Sequence, residues 1–376
     1  MPGAPDAARV AAALSLSGVV VDPAHSEFAQ IMSRAAEGYE GWQPGGLETL
    51  AGAIQRGAMG SPGSIITPRA CPAVFAAWDA GLVFEQRALD EACSVLKVDA
   101  GAAGLAKALL RSAESTALCS QRSLHGEADP EADLLKAVLE CAGADAAAAE
   151  QVRAALNSYE EGRARLVRAC AEAEVRSQSR NLEVAMALQA WASAREASKD
   201  AQGESPPVEA VAMMAMLAPA LDAGRNLLAH QARGVRDLEA TAPSEVVWCA
   251  YVWLVDPAGA REARDAMDGV RQMSAAVSAE KYGAIAALAA EFRAAEIALL
   301  RAAYTAHLAE LDRMIDSLKP VLVTSPVTAE AIGQLAAAQE LPSEDQARQA
   351  WRAVRTQQRE RLDAFRGQVQ AIADAP

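Results

Sequence analysis

The chain has 376 residues, 52% of them hydrophobic but only 4% aromatic, and a formal charge of −14 with a pI near 4.9. That acidity weighs against nucleic acid as a partner, because phosphate binding draws on clustered positive charge. No apolar run is long enough for an integral membrane segment.

About a quarter of the residues are alanine, the residue that loses least on entering a helix. A core of Leu, Val, Ile, Met and Ala buries little area per residue, which favours long helix–helix contacts. A short polar residue followed by proline recurs at Asp22-Pro23, Thr67-Pro68, Asp129-Pro130, Ser205-Pro206, Asp256-Pro257 and Ser325-Pro326, with Pro342-Ser343 as a variant. The polar side chain can cap free N–H groups, and a proline in the first turn loses no hydrogen bond. The expected fold class is all-α, an elongated multi-helix bundle or coiled-coil-like body.

Residues 1–60 read as short helices, with Phe28, Ile31, Met32, Ala35 and Tyr39 spaced for one face. The glycine-rich stretch 57–64 reads as a linker, since no strand precedes it and no Gly-Lys-Ser/Thr follows. From Thr67 onward come helices broken near Asp99-Ala-Gly101, stopped at His125-Gly126, reopened at Asp129-Pro130 and interrupted at Gly143. Residues 145–199 contain no proline and predict one helix on the order of 80 Å at ~1.5 Å per residue. Its apolar stripe runs through Val152, Leu156, Tyr159, Leu166, Cys170 and Ala173, and resumes at Val184, Leu188 and Trp191 after the polar interval 176–180.

Residues 202–207 are the domain boundary. A helix over 208–240 follows, kinked at Pro219. The β-branched and aromatic run 246–255 has no partner strand and reads as a buried helix. Residues 256–318 predict a second very long helix, with a heptad seam of Ile297, Tyr304, Leu311 and Leu318 beside Leu300, His307 and Met314. A short element follows Ser325-Pro326. Ser343 and Gln346 form a capping box for the last helix, whose buried face is Trp351, Val354, Leu362, Phe365, Val369 and Ile372.

The expected domains are 1–60, 67–202 and 206–376, the last two related by a duplication of the long-helix unit. Residues 144–169 align without gaps on 277–302, matching Val152 to Ile285, Tyr159 to Phe292 and one Leu-x-Arg-Ala to another.

No catalytic, cofactor-binding or metal-ligating residue is assigned. The histidines, His25, His125, His230 and His307, form no ligand spacing, and Glu-x-x-His is missing. The cysteines at 71, 93, 119, 141, 170 and 249 form no C-x-x-C pair and are expected as buried thiols. Gly-x-Ser-x-Gly and the phosphate-loop pattern do not occur. The most pointed surface feature is Arg348, Arg352, Arg355, Arg359 and Arg366, a basic stripe on the last helix. It is either a docking edge for an acidic partner or a set of arginines whose heads pair with Glu and Asp of neighbouring helices, and the net charge favours the second.

The function expected is a non-enzymatic helical scaffold or protein–protein interaction module, working through a protein partner or self-association and needing no cofactor. The alternatives are a helical chaperone or stress-type protein that binds unfolded clients and, behind it, an enzyme with an inter-helical site. The location expected is cytoplasmic. Export is the alternative, should 1–22, with Arg9 before an apolar run, be a degenerate signal.

Overall fold

A computed structural model of the chain describes residues 5–22, 26–41, 71–118, 134–198, 208–256, 259–338 and 344–375. Among them every regular element is a helix: α1 (Ala7–Leu16), α2 (26–41), α3 (Cys71–Val95), α4 (Ala100–Leu118), α5 (Leu134–Ala142), α6 (Ala146–Ser179), α7 (Asn181–Ser198), α8 (Val208–Glu239), α9 (Ser244–Val255), α10 (Gly259–Ala276), α11 (Ala279–Leu322), α12 (Ala329–Ala337) and α13 (Glu344–Asp374). The protein is all-α, and no helix among the described residues is long and apolar enough to cross a membrane.

The two very long helices of the sequence reading are each interrupted. The run 145–199 breaks at Arg180, between α6 and α7. The surrounding Ser-Gln-Ser-Arg-Asn is rich in side chains that compete for backbone groups, and the Arg180 guanidinium donates to the carbonyls of Val321 and Thr324 at 2.8 and 2.7 Å. The run 256–318 breaks before Ala279, because Ser278 caps α11 by accepting from the Lys281 N–H at 3.4 Å. The helix that follows extends to Leu322.

The side-chain caps observed here share a feature that the proline signature does not capture. Asp6 accepts from the Ala8 N–H, Asp99 from Gly101 and Ala102, Asp145 from Ala147 and Ala148, and Thr328 from Ala331. Each of these caps, like Ser278, is followed by alanine rather than proline. Ser325-Pro326 lies upstream of α12, whose cap is Thr328. Gly143 ends α5 at φ +61°, the left-handed conformation a helix stop needs. The stretches 43–46, 57–64 and 202–207, the 67–68, 125–126, 129–130 and 205–206 signals, and Ser343 of the capping box lie outside the described residues.

The chain divides into two compact units. Unit 1 comprises residues 1–120, 160–227 and 312–341; unit 2 comprises 121–159, 228–311 and 342–376. In unit 1, α1, α3 and α4 pack together around Val10, Leu14, Leu89, Leu105 and Leu110, and α7 packs on α12. Buried Glu85 ties α1 down by accepting from the Asp6 N–H at 2.9 Å and from the Arg9 guanidinium. Gly38 lets α2 approach α3 closely, since a Cβ there would lie 2.9 Å from the Phe84 ring.

In unit 2, the predicted buried helix is α9, and every residue from Val246 to Val255 is buried. Such a segment has no amphipathic face, so helices must cover it on several sides; α5, α10 and α13 do so. Trp248 meets Phe292 edge-on at 5.6 Å, and Phe292 stacks on Phe365 at 4.2 Å. Cys141 of α5 and Cys249 of α9 form a disulfide. This corrects the expectation of buried thiols at those positions: the two residues are 108 apart in sequence, so only the docking of α5 on α9 brings them together. Cys93 is a buried thiol.

Candidate functional site

The arginine stripe lies on α13. Arg355 donates from Nε to the Val255 carbonyl at 3.1 Å, and Arg359 pairs with Asp256 at 2.9 Å. Both serve the C-terminal end of α9, where unpaired carbonyls and the negative end of the helix dipole favour cations. Arg366 reaches Asp363 and the Glu262 carbonyl, each at 3.3 Å. Arg352 is exposed, and the Arg348 side chain lies outside the described residues.

Another arginine of α13 is more deeply engaged. Arg361 pairs at 2.5 Å with Glu296 of α11, which is 1% exposed. Burial raises the Glu296 pKa above the usual carboxylate range, against the opposing pull of Arg361. Glu296 stands four residues after Phe292 and four before Leu300, on the apolar stripe itself. That register was the available signal, obscured by the many other carboxylates of α11. One turn back, burial lowers the Arg293 guanidinium pKa despite Glu245 at 3.5 Å.

Tyr251, Glu239 and Arg301 form a triad across α9, α8 and α11. The Tyr251 hydroxyl donates to Glu239, and Arg301 donates to both partners, at 3.2 and 2.7 Å. Burial and the bond to Glu239 push the Tyr251 pKa up to about 12. A phenol held protonated in this way is neither a nucleophile nor a base at neutral pH.

The two described histidines sit against rings. His230 stacks on Tyr159 at 5.0 Å, with Nε2 2.8 Å from the Tyr159 carbonyl oxygen. His307 stacks on Trp351 at 4.4 Å, and burial lowers its pKa, favouring neutral imidazole. Burial, with Asp90 adding to it, raises the pKa of the Cys93 thiol, which disfavours the reactive thiolate. Among the described residues no group of three or more His, Cys, Asp or Glu is placed to hold a metal ion. His25 and His125 lie outside them.

Unit 1 presents a different kind of surface, which the sequence reading did not single out. On α7, Val184 and Leu188 face inward as expected, while Leu182 and Met186, one turn apart, are 70% and 64% exposed. Val323, 83% exposed, lies between Val321 and Thr324, whose carbonyls Arg180 holds at the start of the same helix. Glu183 adds a long contact to the Val327 N–H at 3.5 Å. The signal was present: Leu182, Val184, Met186 and Leu188 alternate along α7, and a helix cannot turn all of them to one face. No protein-family model, no curated protein and no solved structure matches the chain.

Proposed function

We propose that the protein is a non-enzymatic helical scaffold that binds protein, a second copy of itself in the first instance, through the apolar surface at the start of α7 in unit 1. The observation that carries this reading is the exposure of Leu182 and Met186 on a helix whose opposite side is already buried against α12. Large apolar side chains grouped in solvent are the usual mark of a surface that another protein covers. The polar groups support the same reading: the ion pairs of α13, α11 and α9 join helix to helix, leaving the titratable groups described above in tying roles. The acidic charge favours a protein partner over nucleic acid.

Sedimentation velocity over a concentration series tests this. The expected result is a mass that rises with concentration toward a dimer. The double substitution Leu182→Glu/Met186→Glu should abolish that rise without changing helix content. A concentration-independent monomer overturns self-association. The chaperone reading draws on the same surface, because a flexible Met adapts to varied partners. Suppression of a model client's aggregation, lost in the same double variant, would select it. A monomer that also leaves the client unprotected ends both readings.

A further inference from the structure

We propose that the Cys141–Cys249 disulfide is a redox catch that holds α5 on α9, so that reduction releases α5 and uncovers an apolar side of the central helix of unit 2. The inference starts from the length of chain the cross-link closes: it joins α5 to α9 across 108 residues, and a closure that long is the kind whose loss costs a fold most. α5 is described from Leu134 to Ala142. Its buried side chains are Leu134, Leu135, Val138, Cys141 and Ala142, and it packs chiefly on α9 and less on α10. Its described ion pair, Glu140 with Arg264 at 2.8 Å, is partly exposed on both sides and adds little.

The catch is shielded while α5 is docked. Cys141 is 7% exposed and Cys249 1%. Disulfide exchange requires a thiolate to reach a sulfur atom, so reduction must follow a local opening of α5. Such openings occur in cooperative segments below the global unfolding free energy. The reduced state is also accommodated. The Cys249 sulfur lies 3.8 Å from the Ala260 carbonyl oxygen in the first turn of α10, so the freed thiol has an acceptor. The remaining sides of α9 stay covered by α10 and α13. What α5 leaves behind is apolar, because 246–255 carries no charged residue.

The chemistry balances with ordinary thiols. Opening consumes two electrons and two protons from a thiol reductant, passes through a mixed disulfide, and leaves Cys141 and Cys249 as thiols and the reductant as its disulfide. Closing returns the electrons to an oxidant of the disulfide class, such as oxidised glutathione. An oxidising compartment therefore holds the catch shut, and a reducing one opens it.

The test uses the full chain, first incubated with oxidised glutathione and then divided. One half is alkylated in denaturant without reductant and mapped by peptide mass. The expected map contains a linked peptide pair carrying Cys141 and Cys249; alkylation of both residues overturns the proposal. The other half is melted and subjected to limited trypsin digestion with and without dithiothreitol. Reduction should lower the melting of unit 2 by about 5–10 °C, as expected when a long loop loses its cross-link in a domain of this size, and should accelerate cleavage at Lys136 on α5 several-fold. Cys141→Ser should reproduce both changes and remove any further response to dithiothreitol, while Cys93→Ser should keep the wild-type response. Should Cys141→Ser fail to fold, the reductant series on the wild-type chain still decides. Melting and cleavage indifferent to dithiothreitol overturn the proposal.

Discussion

The two units of this protein handle burial in different ways. Unit 2 is organised around α9, a helix without a polar side, and covers it with α5, α10 and α13, the Phe292 ring and a disulfide, while the Glu296–Arg361 pair joins α11 to α13. In the described part of unit 1, Leu- and Ala-rich helices are joined through polar ties that range from buried, as at Glu85, to half-exposed, as in Arg225 to Asp312, and Leu182 and Met186 remain in solvent. A helix that is apolar all round must be enclosed, whereas one with a stripe and a surplus can leave the surplus outside. Unit 2 thus encloses its most apolar helix, whereas unit 1 leaves large apolar side chains of α7 in solvent.

The sharpest way to break this contrast is Trp248→Ala. It removes the largest fully buried side chain of α9 and its edge-on contact with Phe292. The expected cost is about 3–5 kcal/mol in urea unfolding; a cost below about 1 kcal/mol would show that α9 is not the organising element.

Glycine substitutions should follow, with opposite signs in the two units. A Cβ at Gly234 of α8 would lie 2.6 Å from the Tyr159 ring, whereas one at Gly104 of α4 meets nothing within 4 Å. Gly234→Ala should cost about 1–3 kcal/mol and be partly rescued by Tyr159→Leu. Gly104→Ala should stabilise by about 0.5–1 kcal/mol through helix propensity. Thermal melting of the four chains checks both.

The smallest effects concern pH, and again the signs oppose. In unit 1 the hydrogen bonds from Arg225 lower the Asp312 pKa below its usual 3.8. A depressed folded-state pKa means stability present above about pH 4 and lost as pH falls through the folded value. Asp312→Asn should cost at most about 1 kcal/mol at pH 7, because the carboxylate is half exposed and screened. The difference from wild type should vanish in acid. In unit 2 the raised pKa of Glu296 carries the reverse sign: its contribution is full below about pH 4.5 and is lost as pH rises through the folded value. Glu296→Gln should therefore stay within about 1 kcal/mol of wild type at pH 7, since it removes a desolvated charge along with an ion pair. The difference in unfolding free energy between wild type and each variant, followed from pH 3 to pH 7, should have slopes of opposite direction. Parallel slopes would show that burial of Glu296 does not set its protonation.

Much of the fold was legible from short-range pattern. The spacing of Phe28, Ile31, Met32 and Tyr39 marked a face that is buried. The composition of 246–255 marked an enclosed helix, and Gly143 marked a stop. The aligned segments 144–169 and 277–302 also do similar local work. Asp145 and Ser278 both cap, Val152 and Ile285 are both fully buried, and Tyr159 and Phe292 both stack on a neighbouring ring. The helix breaks were missed because the decisive residues, Arg180 and Ser278, carry no proline.

Residue order by itself determined the all-helical class, the break near Asp99, the stop at Gly143 and the buried character of α9, because these depend on groups within a few residues of one another. Only the tertiary structure decided that Cys141 meets Cys249, that Arg355 and Arg359 serve the end of α9, that Glu296 is enclosed and that Leu182 is not. Each of these depends on which helix lies against which. That arrangement is settled by the summed burial of distant surfaces, and no local motif encodes it.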